Sequence, residues 1–139
     1  MSISPTSIST LLLAALLTSG CSQIREGDSR PSYLSGAESR ALFSGHTVEA
    51  FNLNTGTTSF TYYTKNGEVR QERLWAYRQG NWRINKAEEI CLQFGKRKEG
   101  CRIIGKRRGV YRKYRMEKDG KLKPVVRYRR FLPGNVLNL

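Results

Sequence analysis

Histidine is all but missing from this chain: His46 is the only one among 139 residues. A general base needs a nucleophile to activate and a third group to orient it. Neither a Gly-x-Ser-x-Gly turn nor a comparable constellation exists here. His46 is therefore expected to be a structural or surface residue. Phosphate-cradling loops are missing too. Gly95 and Gly100 precede no helical pattern, and Gly105-Lys106 lacks the rest of the motif. Glu88 and Glu89 are adjacent, so on a strand they face opposite sides and form no carboxylate pair. A single imidazole and no Cys-x-x-Cys leave a zinc-type metal site short of ligands. These absences point away from an enzyme and imply neither cofactor nor metal.

Acidic residues are the second scarcity, and it is local. Residues 22–95 hold nine Lys/Arg and eight Asp/Glu, whereas residues 96–139 hold sixteen Lys/Arg against Glu99, Glu117 and Asp119. Of a total net charge of +14, the last 44 residues therefore carry +13. Such a block implies an anionic partner: nucleic acid, an acidic membrane surface or an acidic polymer.

Long hydrophobic runs are also wanting. Leu11-Leu12-Leu13-Ala14-Ala15-Leu16-Leu17 is too short to cross a bilayer as a helix, which takes about 20 apolar residues. It suits the apolar region of a signal peptide, and Thr18-Ser19-Gly20-Cys21 follows it. Small residues ahead of a cysteine fit cleavage of the lipoprotein type, so residues 1–20 are expected to be removed and Cys21 to be lipidated. At roughly 0.8 kcal/mol per buried methylene, two or three acyl chains anchor a protein stably. Residues 21–35, polar and rich in Gly, Pro and charge, read as a lipidated tether. Residues 36–139 read as one β-rich domain with a basic carboxyl-terminal third. The expected location is the cell envelope, on the outer membrane facing the periplasm, since Ser22 rather than Asp follows the cysteine.

What the domain does contain is turn and strand signal. Ser35 with Glu38 makes a capping box, and Gly45 closes a short helix. From His46 the pattern turns to strands: His46–Asn52, Thr57–Thr64, a run from Val69 to Tyr77, Trp82–Ile84, Ile90–Phe94, Ile103-Ile104, Val110–Met116 and Val125–Leu132. Asn66-Gly67, Gly80-Asn81 and Asp119-Gly120 read as turns between them. Short strands at near-regular spacing imply a mainly β domain, a small antiparallel barrel or sandwich with one short amino-terminal helix. A lipocalin-like barrel is preferred, because the disulfide of an immunoglobulin-like sandwich joins distant strands. Cys91 and Cys101 bracket nine residues opened and closed by glycine. Across a hairpin they could pair, worth a little under about 3 kcal/mol in the chain-entropy picture. Two reduced thiols are the alternative.

The order Leu34-Ser35-Gly36-Ala37-Glu38 with Leu42 and Gly45, then Thr47-Val48, Asn66-Gly67-Glu68-Val69-Arg70, Gly80-Asn81-Trp82-Arg83-Ile84, Cys91-Leu92-Gln93-Phe94 and Cys101 resembles the small exported proteins of the domain of unknown function 995 family. The likeness covers roughly residues 34–112. It implies an export context and a β fold, and it implies no activity. Two departures stand out: Ser39 occupies a position where an apolar residue is expected, and the carboxyl-terminal third is far more basic.

The candidate anion-binding residues are Lys96, Arg97 and Lys98 at the hairpin tip, then Lys106, Arg107, Arg108, Arg112, Lys113, Arg115, Arg127, Arg129 and Arg130. On the outward faces of adjacent strands they would form one positive surface, with guanidinium forks suited to phosphate or carboxylate. The leading expectation is a non-enzymatic envelope lipoprotein that binds lipopolysaccharide, phospholipid or an acidic polymer. A periplasmic inhibitor or accessory protein of an envelope enzyme or secretion machine is the first alternative. A nucleic-acid binder, suggested by Tyr111, Tyr114 and Tyr128 among the cations, is the second. A carrier of a hydrophobic ligand would need an open cavity inside the barrel.

Overall fold

A computed structural model of the chain describes residues 30–139. The signal segment, Cys21 and most of the tether therefore lie outside the described residues. The elements are β1 (Ser32–Tyr33), α1 (Gly36–Phe43), β2 (His46–Asn52), β3 (Thr58–Tyr63), β4 (Glu68–Arg73), β5 (Ala76–Ile84), β6 (Ile90–Phe94), β7 (Gly100–Arg107), β8 (Val110–Met116) and β9 (Leu122–Pro133). From β2 to β9 each strand pairs antiparallel with the next, and β9 returns to β2 from Thr47↔Leu132 to Asn52↔Val126. The result is a closed eight-stranded up-and-down barrel, so the barrel and not the sandwich is the architecture. Closure leaves no free edge in the ring. The short β1 lies beside β7, with Ser32 opposite Lys106 and Tyr33 opposite Gly105.

Helix α1 forms as its residues dictate. Glu38 N–H donates to the Ser35 hydroxyl at 3.2 Å, and Ser35 N–H donates to the Glu38 carboxylate at 2.7 Å. The Ser35 backbone N–H, and after it the Ser35 hydroxyl, hold the Glu38 carboxyl below its usual range. The helix delivers Phe43 into one end of the barrel, where it is fully buried with edge contacts to Tyr63, Tyr128 and Phe131 at 4.9–5.3 Å. Val48, Val69, Trp82, Ile90 and Ile104 complete this apolar half. Ser39 is fully buried, and its hydroxyl has no hydrogen-bond partner among the described residues. His46 Nδ1–H donates to the Ser44 carbonyl oxygen at 2.9 Å.

Two parts of the strand reading need correction. Gly80-Asn81 is not a turn but the middle of β5. The turn lies earlier, at Leu74-Trp75, whose φ values of +51° and +61° are those of a two-residue loop between Arg73 and Ala76. Neither residue is one that such a loop favours, so local propensity hid it. Trp75 stands 92% exposed at its tip. Gly80 has a different reason to be glycine: a Cβ there would lie 1.9 Å from the Gln93 carbonyl oxygen, because β6 passes directly over it. Cys91 and Cys101 face each other across β6 and β7 and are joined as a disulfide, with Cα atoms 4.0 Å apart.

Two stability changes follow. Gly80→Ala forces backbone apart and should lower unfolding free energy by at least about 2 kcal/mol in urea titration. Leu74→Asn combined with Trp75→Gly relieves two side chains held at positive φ and should raise it by about 1 kcal/mol.

Candidate functional site

The basic residues expected to share one surface are divided among several places. Lys96, Arg97 and Lys98 are exposed in the loop from β6 to β7, whereas Lys106, Arg107 and Arg108 are exposed at the turn from β7 to β8. Lys98 and Lys106 stand at opposite ends of β7, roughly 25 Å apart along the extended chain. On the outer wall Arg112 lies opposite Arg127. Arg129 and Arg130 both pair with the Glu49 carboxylate, and Phe51 lies under Arg127 and Arg129. Arg115 pairs with Glu117 at 2.8 Å. Lys113 faces inward instead: it lies opposite the buried Ile104 and lines the interior, where it is only partly exposed. The single positive face is therefore corrected to two ends, one wall and an interior position. The physical reason is the two-residue period of a strand, which sends alternate members of a basic run to opposite faces. The interleaved tyrosines serve packing. Tyr128 and Tyr114 are 5% and 4% exposed, Tyr114 is covered edge-on by Tyr33, and Tyr111 lies beneath Lys106.

Inside the barrel, beyond the aromatic half, is a cavity of about 150 Å³. Arg73 from β4, Arg78 from β5 and Lys113 from β8 reach it, and no carboxylate lines it among the described residues. Arg78 is held from two sides. Its Nε donates to Gln71 Oε1 at 2.7 Å, and its guanidinium stacks 4.0 Å from the centre of the Phe94 ring. Gln71 is itself fixed, donating through Nε2 to the buried Thr61 hydroxyl at 2.7 Å. Leu92, Ala50 and Val126 supply an apolar wall, and Tyr63 and Tyr128 lie towards the aromatic half. The Tyr128 hydroxyl is buried without a hydrogen-bond partner among the described residues.

The electrostatics are those of like charges kept together. Burial, then the charges of Arg102 and Arg78, push the Lys113 ammonium down to about 8. Burial also lowers Arg78, with Arg73 and Arg97 adding to the effect. Burial raises the Tyr128 hydroxyl well above its ordinary value. Among the described residues none of Arg73, Arg78, Arg97, Arg102 and Lys113 has a carboxylate within 4.0 Å. A group of cations this close, partly out of water and without counter-charge, opposes folding unless something anionic joins it.

Of these interior residues the sequence reading singled out only Lys113, and placed it outside. Arg73 shares its strand face with Val69 and Gln71, and Arg78 shares its face with Trp82. That parity was the available signal, and the concealed turn at Leu74-Trp75 broke it. No family model, no curated protein and no solved structure matches this chain.

Lys113→Met removes a charge the fold suppresses, and should stabilise the domain by about 2 kcal/mol at pH 7. The sign follows from the lowered value. The folded protein pays for the protonated ammonium below about pH 8, and that penalty fades as the pH rises from 8 towards the ordinary 10.5. Thermal melts of both proteins from pH 6.5 to 10 should show their difference shrinking across that window.

Proposed function

We propose that the protein is a non-enzymatic cell-envelope lipoprotein, anchored through Cys21, whose basic barrel docks on an anionic envelope surface. One observation carries the reading. Pairing of β1 with β7 sets Ser32 opposite Lys106, so the chain enters the domain at the end that presents Lys106, Arg107 and Arg108. The turn there is Arg108-Gly109, with Arg108 at φ +49°, which keeps a long cationic side chain at the outermost point. Eight residues lie between Cys21 and Arg30, at most about 30 Å of chain. A lipid anchor and a cationic end thus act on the same side of the molecule.

Lipid suits this end better than nucleic acid. A groove bordered by Tyr33, Leu42 and Tyr111 opens beside Lys106 and offers apolar surface next to charge. The tyrosines that a base-stacking surface would need are covered or point inward. Each Lys or Arg held near an anionic leaflet contributes about 1 kcal/mol, and lipid anchoring adds to it without new protein contacts.

The test has two arms. Growth with an alkyne fatty acid should label the wild-type protein and leave Cys21→Ala unlabelled. The soluble domain should bind vesicles containing phosphatidylglycerol, and changing Lys106, Arg107 and Arg108 together to Gln should weaken this by about two orders of magnitude at low salt. Equal binding to neutral phosphatidylcholine vesicles, or binding indifferent to salt, would sink the docking arm.

A further inference from the structure

The external triplets explain little about the cations inside the barrel. Arg73, Arg78 and Lys113 converge on one cavity, and among the described residues no carboxylate lines it. Surface solvation alone does not account for them, since Lys113 faces inward opposite the buried Ile104 and Arg78 is stacked on Phe94, each only partly exposed. Nor are they arranged at random. The bond from Arg78 to Gln71 uses Nε and leaves the two terminal nitrogens of the fork free of any described partner. A guanidinium held this way is pre-organised for a planar or tetrahedral oxyanion and loses little freedom on meeting one. The second, independent sign is Tyr128, a residue of the same cavity that is 5% exposed and has an unpartnered hydroxyl. A buried O–H without an acceptor costs stability, and the surrounding cations supply none.

We propose that the barrel interior is a binding site for a small organic oxyanion, a carboxylate or phosphate group on a short apolar body. The head group lies between Arg78 and Lys113 and accepts the Tyr128 O–H, and the body packs on Leu92 and Val126. The cavity of about 150 Å³ sets the size, since a volume of roughly this magnitude accepts a benzene-sized molecule. A long acyl chain does not fit, so the site differs in ligand as well as place from the lipid-facing end. Arg97, one of the exposed residues of the β6–β7 loop, adds its charge near Arg78 and gives an arriving anion an attractive path.

Calorimetry and thermal shift on the mature chain, at physiological salt, test the proposal with four probes of similar size. Benzoate and phenyl phosphate present the two head groups, benzyl alcohol is neutral and benzylamine is cationic. At least one anion should bind saturably with one site per chain and raise the melting temperature, and the other two compounds should not. Binding of one anion alone supports the proposal and identifies its head group. Arg78→Gln and Lys113→Met should each weaken binding at least tenfold, and Tyr128→Phe several-fold. The triple Gln variant of Lys106, Arg107 and Arg108 should bind as the wild type does, which separates this site from membrane docking. The thermal melt of Lys113→Met, recorded without ligand, separates a loss of binding from a loss of structure. Failure of both anions to bind overturns the proposal. So does binding that survives Arg78→Gln and Lys113→Met, or benzyl alcohol binding as tightly as the anions.

Discussion

The interior of a closed eight-stranded barrel holds a fixed volume, just wide enough for side chains to fill. The large apolar residues of this domain fill one end of it and leave a cavity of about 150 Å³ beyond them. Phe43, carried in by α1, seals that end through its contacts with Tyr63, Tyr128 and Phe131. Everything else about the molecule follows from the unfilled remainder. Inward positions of β4, β5 and β8 beyond the plug fall to Arg73, Arg78 and Lys113, and a cavity remains among them.

Charge is handled differently inside and outside. On the outer wall Glu49 takes both Arg129 and Arg130, and Glu117 takes Arg115, so part of the large positive charge is neutralised locally. Arg83 likewise holds Glu99 with two bonds, of 2.9 and 2.6 Å, beside the Cys91–Cys101 bridge. The interior group receives no such relief. That contrast separates a basic surface, whose charges are fully solvated or paired, from an interior cluster that is only partly solvated and whose cost asks for a ligand.

Much of the scaffold was legible in the chain. The capping box of Ser35 and Glu38, the limits of β2 and β8, the Asn66-Gly67 and Asp119-Gly120 turns and the opposed cysteines are local features, and local rules describe them. The hairpin at Leu74-Trp75 was not legible, because its residues disfavour the positive φ they adopt and only the pairing of β4 with β5 enforces it. Missing it merged two strands into one, moved a turn to Gly80-Asn81 and concealed that Arg73 and Arg78 face inward together.

By itself the sequence determined the kind of object this is: a β-rich domain with its net positive charge concentrated in the last third and one cysteine pair set for a hairpin. Strand periodicity and turn chemistry act over a few residues, and composition needs no structure at all. Only the tertiary structure decided where that charge goes. Closing β9 onto β2 curls the sheet and gives every strand an inside and an outside, and a shift of one residue exchanges them. That closure set Lys113 inside with Arg78, which lies far from it in sequence, and put Lys106 and Lys96 at opposite ends of one strand.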